Sequence, residues 1–350
     1  MTQTTHHTTH AHSSQANSSP VVTIVIPVYN EELTLDELLS RMGAMISSNS
    51  DIDWHVLLVN DGSKDKSAEM IQAACLHYPW LNGLHFARNF GHQVAISAGT
   101  DFAEGDAVIV MDGDLQDPPE LLPEMVRLWQ SGYDVVYATR NKRHGESWFK
   151  LFTANAFYRV LRKLSDVDIP VDTGDFRLMS RRVVTALNTM RERNRFIRGM
   201  VSWVGFNQTT LLYERDKRFD GETKYGLSKM LRLAINGILS FSTVPLQWIT
   251  MVGFIISGLS FLGIFYVLYV TLIQQSTLPG WSSLMTAILF LGGVQLISLG
   301  IVGEYIGRIF DEARKRPLYI VSALEKPISG KPTSGPSSTV ESAPQPEYCV

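Results

Sequence analysis

The chain of 350 residues carries a formal net charge of −3, and hydrophobic residues make up 45% of it. A near-neutral balance gives no electrostatic footprint for nucleic acid. Its two cysteines, Cys75 and Cys349, lack the paired spacing of a disulfide framework or a zinc cluster.

Met1–Pro20 is polar, rich in Thr and Ser with four histidines, and reads as a disordered tail rather than a secretory signal. From Val21 the pattern alternates. Val21–Val28, His55–Val59, Gly83–Phe86, Ala107–Met111 and Asp134–Thr139 are β-branched or apolar runs of strand length. Between them, Glu31–Ile46, Asp65–Cys75, Gly91–Ala103 and Pro119–Trp129 carry helical spacing. Strands alternating with helices predict an α/β domain, a mostly parallel Rossmann-like sheet with helices on both faces. In such sheets ligands bind beyond the carboxyl ends of the strands. Acidic residues fall at those ends: Glu31 and Glu32 after the first strand, Asp61 after the second, Asp112 and Asp114 after the fourth. No G-x-G-x-x-G follows the first strand and no P-loop is present, which argues against a dinucleotide or P-loop site.

Asp112-Gly113-Asp114 ends the apolar run Ala107–Met111 abruptly. Two carboxylates one residue apart offer hard oxygen ligands to Mg²⁺ or Mn²⁺, leaving positions open for substrate phosphates. Taken alone such a pair is also an ordinary acidic turn. Arg88, Arg140 and Arg143 bring positive charge to neighbouring loops, and a metal with arginines around a cleft suits a nucleoside diphosphate.

Between Arg232 and Glu304 there is no Asp, Glu, Lys, Arg or His. Ile249–Ile273 and Ser283–Gly303 are each long enough to cross a hydrocarbon core ~30 Å thick, joined by a loop with Pro279-Gly280 and flanked by Trp248 and Trp281. Buried core helices would also be apolar; two successive charge-free segments of this length favour the bilayer. Lys224, Lys229 and Arg232 before them, and Arg308, Arg314, Lys315 and Arg316 after them, predict cytoplasmic flanks and a cytoplasmic N-terminal domain. Leu227–Phe241 reads as an amphipathic interfacial helix. The Ser- and Pro-rich stretch Gly330–Val350 reads as a second tail.

These residues resemble a family-2 glycosyltransferase of GT-A fold. VVTIVIPVYNEE matches the opening strand and turn, VNDGSKDKS the second-strand motif and MDGDLQDPPE the metal motif. The similarity is closer to polyprenyl-phosphate glycosyltransferases and dolichyl-phosphate mannose synthases. FARNFGHQVAISAG (Phe86–Gly99), DTGDFRLMSR (Asp172–Arg181) and RFDGETKYGLSKM (Arg218–Met230) carry it, from about Val21 to Leu318. The RNRFIRGMVSWVGF stretch (Arg193–Phe206) most resembles bacterial polyprenyl-phosphate glucosyltransferases.

The resemblance implies inverting transfer of a hexose, from UDP-glucose by the nearest relatives, to an undecaprenyl-type phosphate at the inner face of the cytoplasmic membrane. GDP-mannose and a UDP-formamido-arabinose remain alternative donors. It further implies that Pro27, Tyr29, Glu31 and Asp61 hold the nucleoside; Asp112, Gly113 and Asp114 hold ribose and ion, with Gln116 a further metal contact; and Arg140 and Arg218 meet phosphates. Lys224 would come from a mobile loop, with Thr223 where a Ser is commoner, and Asp175 takes the place of the proposed catalytic base. A lipid phosphate is already ionised at neutral pH, so Asp175 is as well suited to orienting the acceptor or helping hold metal as to removing a proton; a plain turn residue after Gly174 is the other reading.

Arg191, Arg193, Arg195 and Arg198 surround Phe196. By default this is a solvated helix face. Beside a membrane, Arg195 and Arg198 become candidates to receive the lipid phosphate. The expected division is a tail (residues 1–20), a catalytic domain (21–223), a mobile loop with interfacial helices (224–248), a transmembrane hairpin (249–307), a cytoplasmic juxtamembrane segment (308–329) and a tail (330–350). Glycines 292, 293 and 300 allow self-association of the hairpin. A haloacid-type phosphatase also places Asp-x-Asp after a strand, but Leu115-Gln116 stands where Thr or Val is expected. A non-catalytic membrane scaffold or lipid translocase subunit is the other alternative, opposed by the complete acidic rim.

Overall fold

A computed structural model describes residues 19–140, 173–193, 195–213, 244–273 and 280–327. Its centre is an eight-stranded sheet in the order β7-β5-β6-β4-β1-β2-β3-β8. The strands are β1 (Val21–Val28), β2 (Asp53–Asn60), β3 (Leu81–Phe86), β4 (Ala107–Val110), β5 (Val135–Arg140), β6 (Thr173–Ser180), β7 (Gln208–Tyr213) and β8 (Val321–Glu325). Helices α1 (Leu35–Ser48), α2 (Ser67–His77), α3 (His92–Phe102), α4 (Leu122–Gln130), α5 (Arg181–Thr189) and α6 (Ile197–Trp203) accompany it. The alternation read from the sequence is therefore present, and the fold is the expected GT-A arrangement.

The pairs β1–β2, β1–β4, β2–β3 and β5–β7 are parallel. Three others are antiparallel. β6 inserts between β4 and β5, and β8 closes the far edge against β3. The β6 insertion brings the 173–180 segment, recognised in the sequence only as a motif, into the middle of the sheet. The segment 308–329, expected to lie outside the catalytic domain, instead contributes β8 to its sheet. Backbone donors and acceptors on an edge strand need partners, and β8 supplies them along Gly83–Phe86.

Side chains alternate across the strands as period 2 requires. Val22, Ile24, Ile26 and Val28 of β1 enter a core with Leu38, Met42, Met125, Phe176 and Leu178. Val25 faces the opposite way, into a core with Ala95, Ile96, Met179 and Met200. On that second face α3 lies directly on β1. A Cβ built on Gly99 would stand 2.1 Å from Val25 Cγ1, so only glycine permits the contact. This close approach fixes the start of α3 beside the carboxyl ends of β1 and β4.

Two long helices follow, α7 (Val244–Leu272) and α8 (Trp281–Ala313). Both are long and apolar enough to cross a membrane, and Phe254, Leu259, Phe261, Leu296 and Ile297 point outward, exposed. α8 runs past Gly303, where the apolar segment was expected to end, to Ala313. The loop between the helices (274–279), the 214–243 stretch with its expected interfacial helix, and both expected tails, apart from Ser19 and Pro20, lie outside the described residues.

Candidate active site

The loops after β1 and β2 lock together. Asn30 N donates to Ser63 Oγ (3.1 Å), Lys64 N to Asn30 Oδ1 (2.8 Å) and Glu31 N to Ser67 Oγ (3.0 Å). Asn30 takes a left-handed conformation (φ 56°), which asparagine tolerates better than most residues. Pro27 is buried within β1, Glu31 is half-buried, and Tyr29 is exposed at the rim. Asp61 is buried, and its carboxylate accepts from Phe90 N (2.6 Å), Gly91 N (2.9 Å) and Asn89 Nδ2 (2.9 Å). Burial pushes its carboxyl up despite these donors. Gly62 is what lets the loops meet: a Cβ there would lie 2.4 Å from the Arg88 carbonyl carbon, and its φ is +65°. Asp61 thus anchors the turn that launches α3.

After β4 comes the Asp112-Gly113-Asp114 turn. Leu115, buried, sits at φ 60°, a strained setting for a leucine of the kind that clusters at functional sites. Asp114 Oδ1 accepts from Gln116 N (3.2 Å). Asp117 is buried and takes the Tyr213 hydroxyl at 2.7 Å, tying the loop to the end of β7. Asp112 Oδ1 is shut off from solvent and makes no hydrogen bond. Burial raises the Asp112 carboxyl to about 6; His92 opposes the rise, and the neighbouring Asp117, Asp175 and Asp114 add to it. A buried carboxylate oxygen without a donor, among other acids, is the environment a cation relieves. Among the described residues no three His, Cys, Asp or Glu side chains form a closed cage. The residues therefore fit an ion of the hard, oxygen-preferring type that completes its shell with substrate oxygens.

Asp175 lies on β6, 4% exposed. Arg177 Nη2 reaches its Oδ1 at 2.9 Å, and Arg198 Nε the same oxygen at 3.0 Å. Its Oδ2 receives Arg198 Nη2 (3.3 Å), His92 Nε2 (3.2 Å) and Gln93 Nε2 (3.3 Å). Burial alone would raise this carboxyl; the His92 hydrogen bond and the Arg198 and Arg177 charges outweigh it and hold it well below the usual carboxylate range. His92 Nε2 also stands 3.5 Å from Asp112 Oδ1, and facing two carboxylates it must carry the ring proton. Gln93 turns its other end to the chain, accepting Ile197 N at 3.1 Å at the start of α6.

The structure thus brings Asp112 and Asp175 together around His92, with Arg198 on the same carboxylate. Arg195 lies elsewhere. It is buried, its Nη2 donates to the Met190 carbonyl, and its charged neighbours are Asp101, Arg191 and Glu192 at the far end of α3. Arg140 ends β5, and its side chain lies outside the described residues, as do Arg143, Arg218 and Lys224. His92, Gln93 and Arg177 were not singled out from the sequence. Arg177 had a signal: two residues from Asp175 on one strand, it shares Asp175's face.

Comparison with known proteins places these features. The profile of "Glycosyl transferase family 2" matches residues 23–187, and that of the "GtrB C-terminal hairpin" matches 245–309. The chain is 52% identical over 298 residues to an uncharacterized glycosyltransferase, YkcC, of Bacillus subtilis (strain 168), covering 85% of this chain and 92% of the relative. It is 41% identical over 300 residues to the bactoprenol glucosyl transferase of Shigella phage SfV (86% and 97% covered). It is 40% identical over 305 residues to a prophage bactoprenol glucosyl transferase homolog of Escherichia coli (strain K12) (87% and 99% covered).

Proposed function

The chain belongs to glycosyl transferase family 2, and on that premise we propose that it moves glucose from UDP-glucose to a polyprenyl phosphate, with inversion at the anomeric carbon. The observation that carries this reading is the meeting of two unlike charge groups at one sheet edge. The acids Asp112 and Asp114 stand beside the cationic side chains that gather on Asp175, in a chain that also bears two membrane-length apolar helices. The relatives named as bactoprenol glucosyl transferases support glucose and a polyprenyl acceptor.

Pro27, Tyr29, Glu31 and Asp61 form the nucleoside subsite in this reading. Asp112 and Asp114, with Gly113 between them and Gln116 alongside, hold ribose and a Mg²⁺ or Mn²⁺ ion. When bound, that ion supplies Lewis-acid neutralisation of the leaving diphosphate. Arg140, Arg218 and Lys224 add charge-assisted donors to its oxygens. One acceptor phosphate oxygen bonds to the anomeric carbon while the bond from that carbon to the β-phosphate oxygen breaks. The electron pair leaves with the nucleoside diphosphate. A phosphate monoester already ionised at neutral pH needs no proton removed. The apolar helices cross the bilayer as a hairpin, with the cleft and both flanks on the cytoplasmic side.

The test is synthesis by the intact, detergent-purified chain from radiolabelled UDP-glucose and undecaprenyl phosphate, with Mg²⁺ or Mn²⁺ and with chelator. Labelled glycolipid that requires the ion, and that falls about 10³-fold or more in Asp112→Ala and Asp114→Ala, supports the reading. A wild-type chain that is folded and makes no glycolipid overturns it. Product from GDP-mannose but not UDP-glucose overturns the donor alone.

A further inference from the structure

The charges at Asp175 do not balance. Arg177, 1% exposed, neutralises Asp175 from within the sheet. Arg198 brings a second guanidinium to the same carboxylate, and its side chain is 29% exposed. His92 brings a further N–H on a side chain 45% exposed. One carboxylate thus serves two guanidiniums and an imidazole. The surplus positive character falls on the two members that face solvent.

Asp175 itself is fully engaged. Five donor contacts converge on its two oxygens, against about four lone-pair sites on a carboxylate. An oxygen so occupied is poorly placed to take up a proton. It is well placed to fix side chains, and Gln93 extends the arrangement by tying the first turn of α6, which carries Arg198, to the same oxygen.

The acceptor poses an electrostatic problem. Its phosphate must approach the donor sugar to about 3–3.5 Å, yet the rim there holds Asp112, Asp114 and Asp117. A dianion enters such a rim only against cationic donors set in advance. Resting on the transferase reading above, we propose that Arg198 and His92 together receive the acceptor's phosphate, and that Asp175 is the positioning residue that holds both rather than a proton acceptor.

The experiment measures binding by the intact, detergent-solubilised chain without donor, followed by steady-state kinetics. Calorimetry compares three probes: a short-chain isoprenyl phosphate, inorganic phosphate, and phosphatidylglycerol vesicles. The isoprenyl phosphate binds the wild type, and Arg198→Ala and His92→Ala each weaken it about tenfold, one charge-assisted contact apiece. Arg198→Lys and His92→Gln, which keep a donor, recover part of the loss. In turnover, KM for the acceptor rises by a like factor while KM for the nucleotide sugar stays within about twofold. Asp175→Asn raises the acceptor KM as the two alanine variants do and leaves the shape of the kcat against pH curve unchanged. Inorganic phosphate showing the same losses supports the site as one for the phosphate group itself.

Binding to vesicles alone, with isoprenyl phosphate ignored, overturns the assignment to the acceptor. Folded Arg198→Ala and His92→Ala proteins with unaltered acceptor KM and binding overturn the site. A pH profile that loses a limb in Asp175→Asn overturns the positioning role. In each of these cases a wild type that still makes glycolipid leaves the transferase reading standing.

Discussion

Helix α3 has a carboxylate cluster at each end. At its start His92 and Gln93 reach Asp175, where Arg177 and Arg198 also converge. Nine residues on, about 13 Å along the axis, Asp101 Oδ2 accepts Arg191 Nη1 at 2.7 Å and the Tyr319 hydroxyl at 2.8 Å. Both ends draw an arginine from the same short segment, 191–198. At the far end the partners come from chain that has returned after α8. Tyr319 stacks on Phe86 at 5.3 Å, Arg193 N donates to Glu312 Oε1 at 2.6 Å, and Arg195 is buried alongside. The first cluster opens on the acidic rim and carries unbalanced positive charge; the second fastens one piece of the protein to another. Residue type alone does not separate a ligand site from a clasp. What the cations face does.

Removing each central carboxylate is the sharpest way to break this contrast. Asp175→Asn leaves Arg177 buried without its counter-ion, a change that costs about 3–5 kcal/mol, and glycolipid synthesis is expected to fall about 10²-fold or more. Asp101→Asn is expected to keep synthesis within about twofold of wild type. It gives up only contacts at the protein surface, where Arg191 is half exposed, worth about 1 kcal/mol. Matched assays and melting curves on the two variants check this; equal losses of activity would erase the distinction.

Acid provides a second test. Asp175 titrates below its unfolded value, so its stabilising contribution is full above the unfolded carboxylate range near pH 4 and is lost as pH falls through the folded value. The wild-type melting temperature is expected to drop faster below about pH 4 than that of Asp175→Asn, followed by intrinsic fluorescence from pH 6 to 3. Parallel curves would show that the cluster does not hold the carboxylate as described. The smallest effect is expected for Tyr319→Phe, which keeps the stacked ring and loses one hydrogen bond to Asp101. About 1 kcal/mol of stability should go, with glycolipid synthesis unaltered, as read by melting temperature and initial rate.

Much of this was written locally in the sequence. Alternating β-branched runs and helical spacing marked β1 to β5 and α1 to α4, because period 2 and period 3.6 are properties of neighbours along the chain. The acids at strand ends, Asp112 and Asp114 above all, could be read for the same reason. Contacts between distant segments could not. Asp175 meets His92 across 83 positions, and nothing in either neighbourhood announces the other. The antiparallel insertion of β6 and the return of β8 are likewise decisions of tertiary pairing. The four arginines of 191–198 looked alike in sequence, and they part company only because α6 begins between Arg195 and Arg198. Arg218 and Lys224 rest on resemblance alone.

The strand that comes back after α8 alters what the hairpin is. Because β8 hydrogen-bonds along β3, and Ala87 N reaches the Ile320 carbonyl at 3.0 Å, the sheet is moored to the long helices at two points rather than hanging from one. A body moored once can swivel; moored twice, it keeps its heading. Whatever lies in the plane of α7 and α8 therefore meets the cleft at an angle and a depth written into the pairing of two strands, and a greasy substrate arriving sideways finds its destination already level with it.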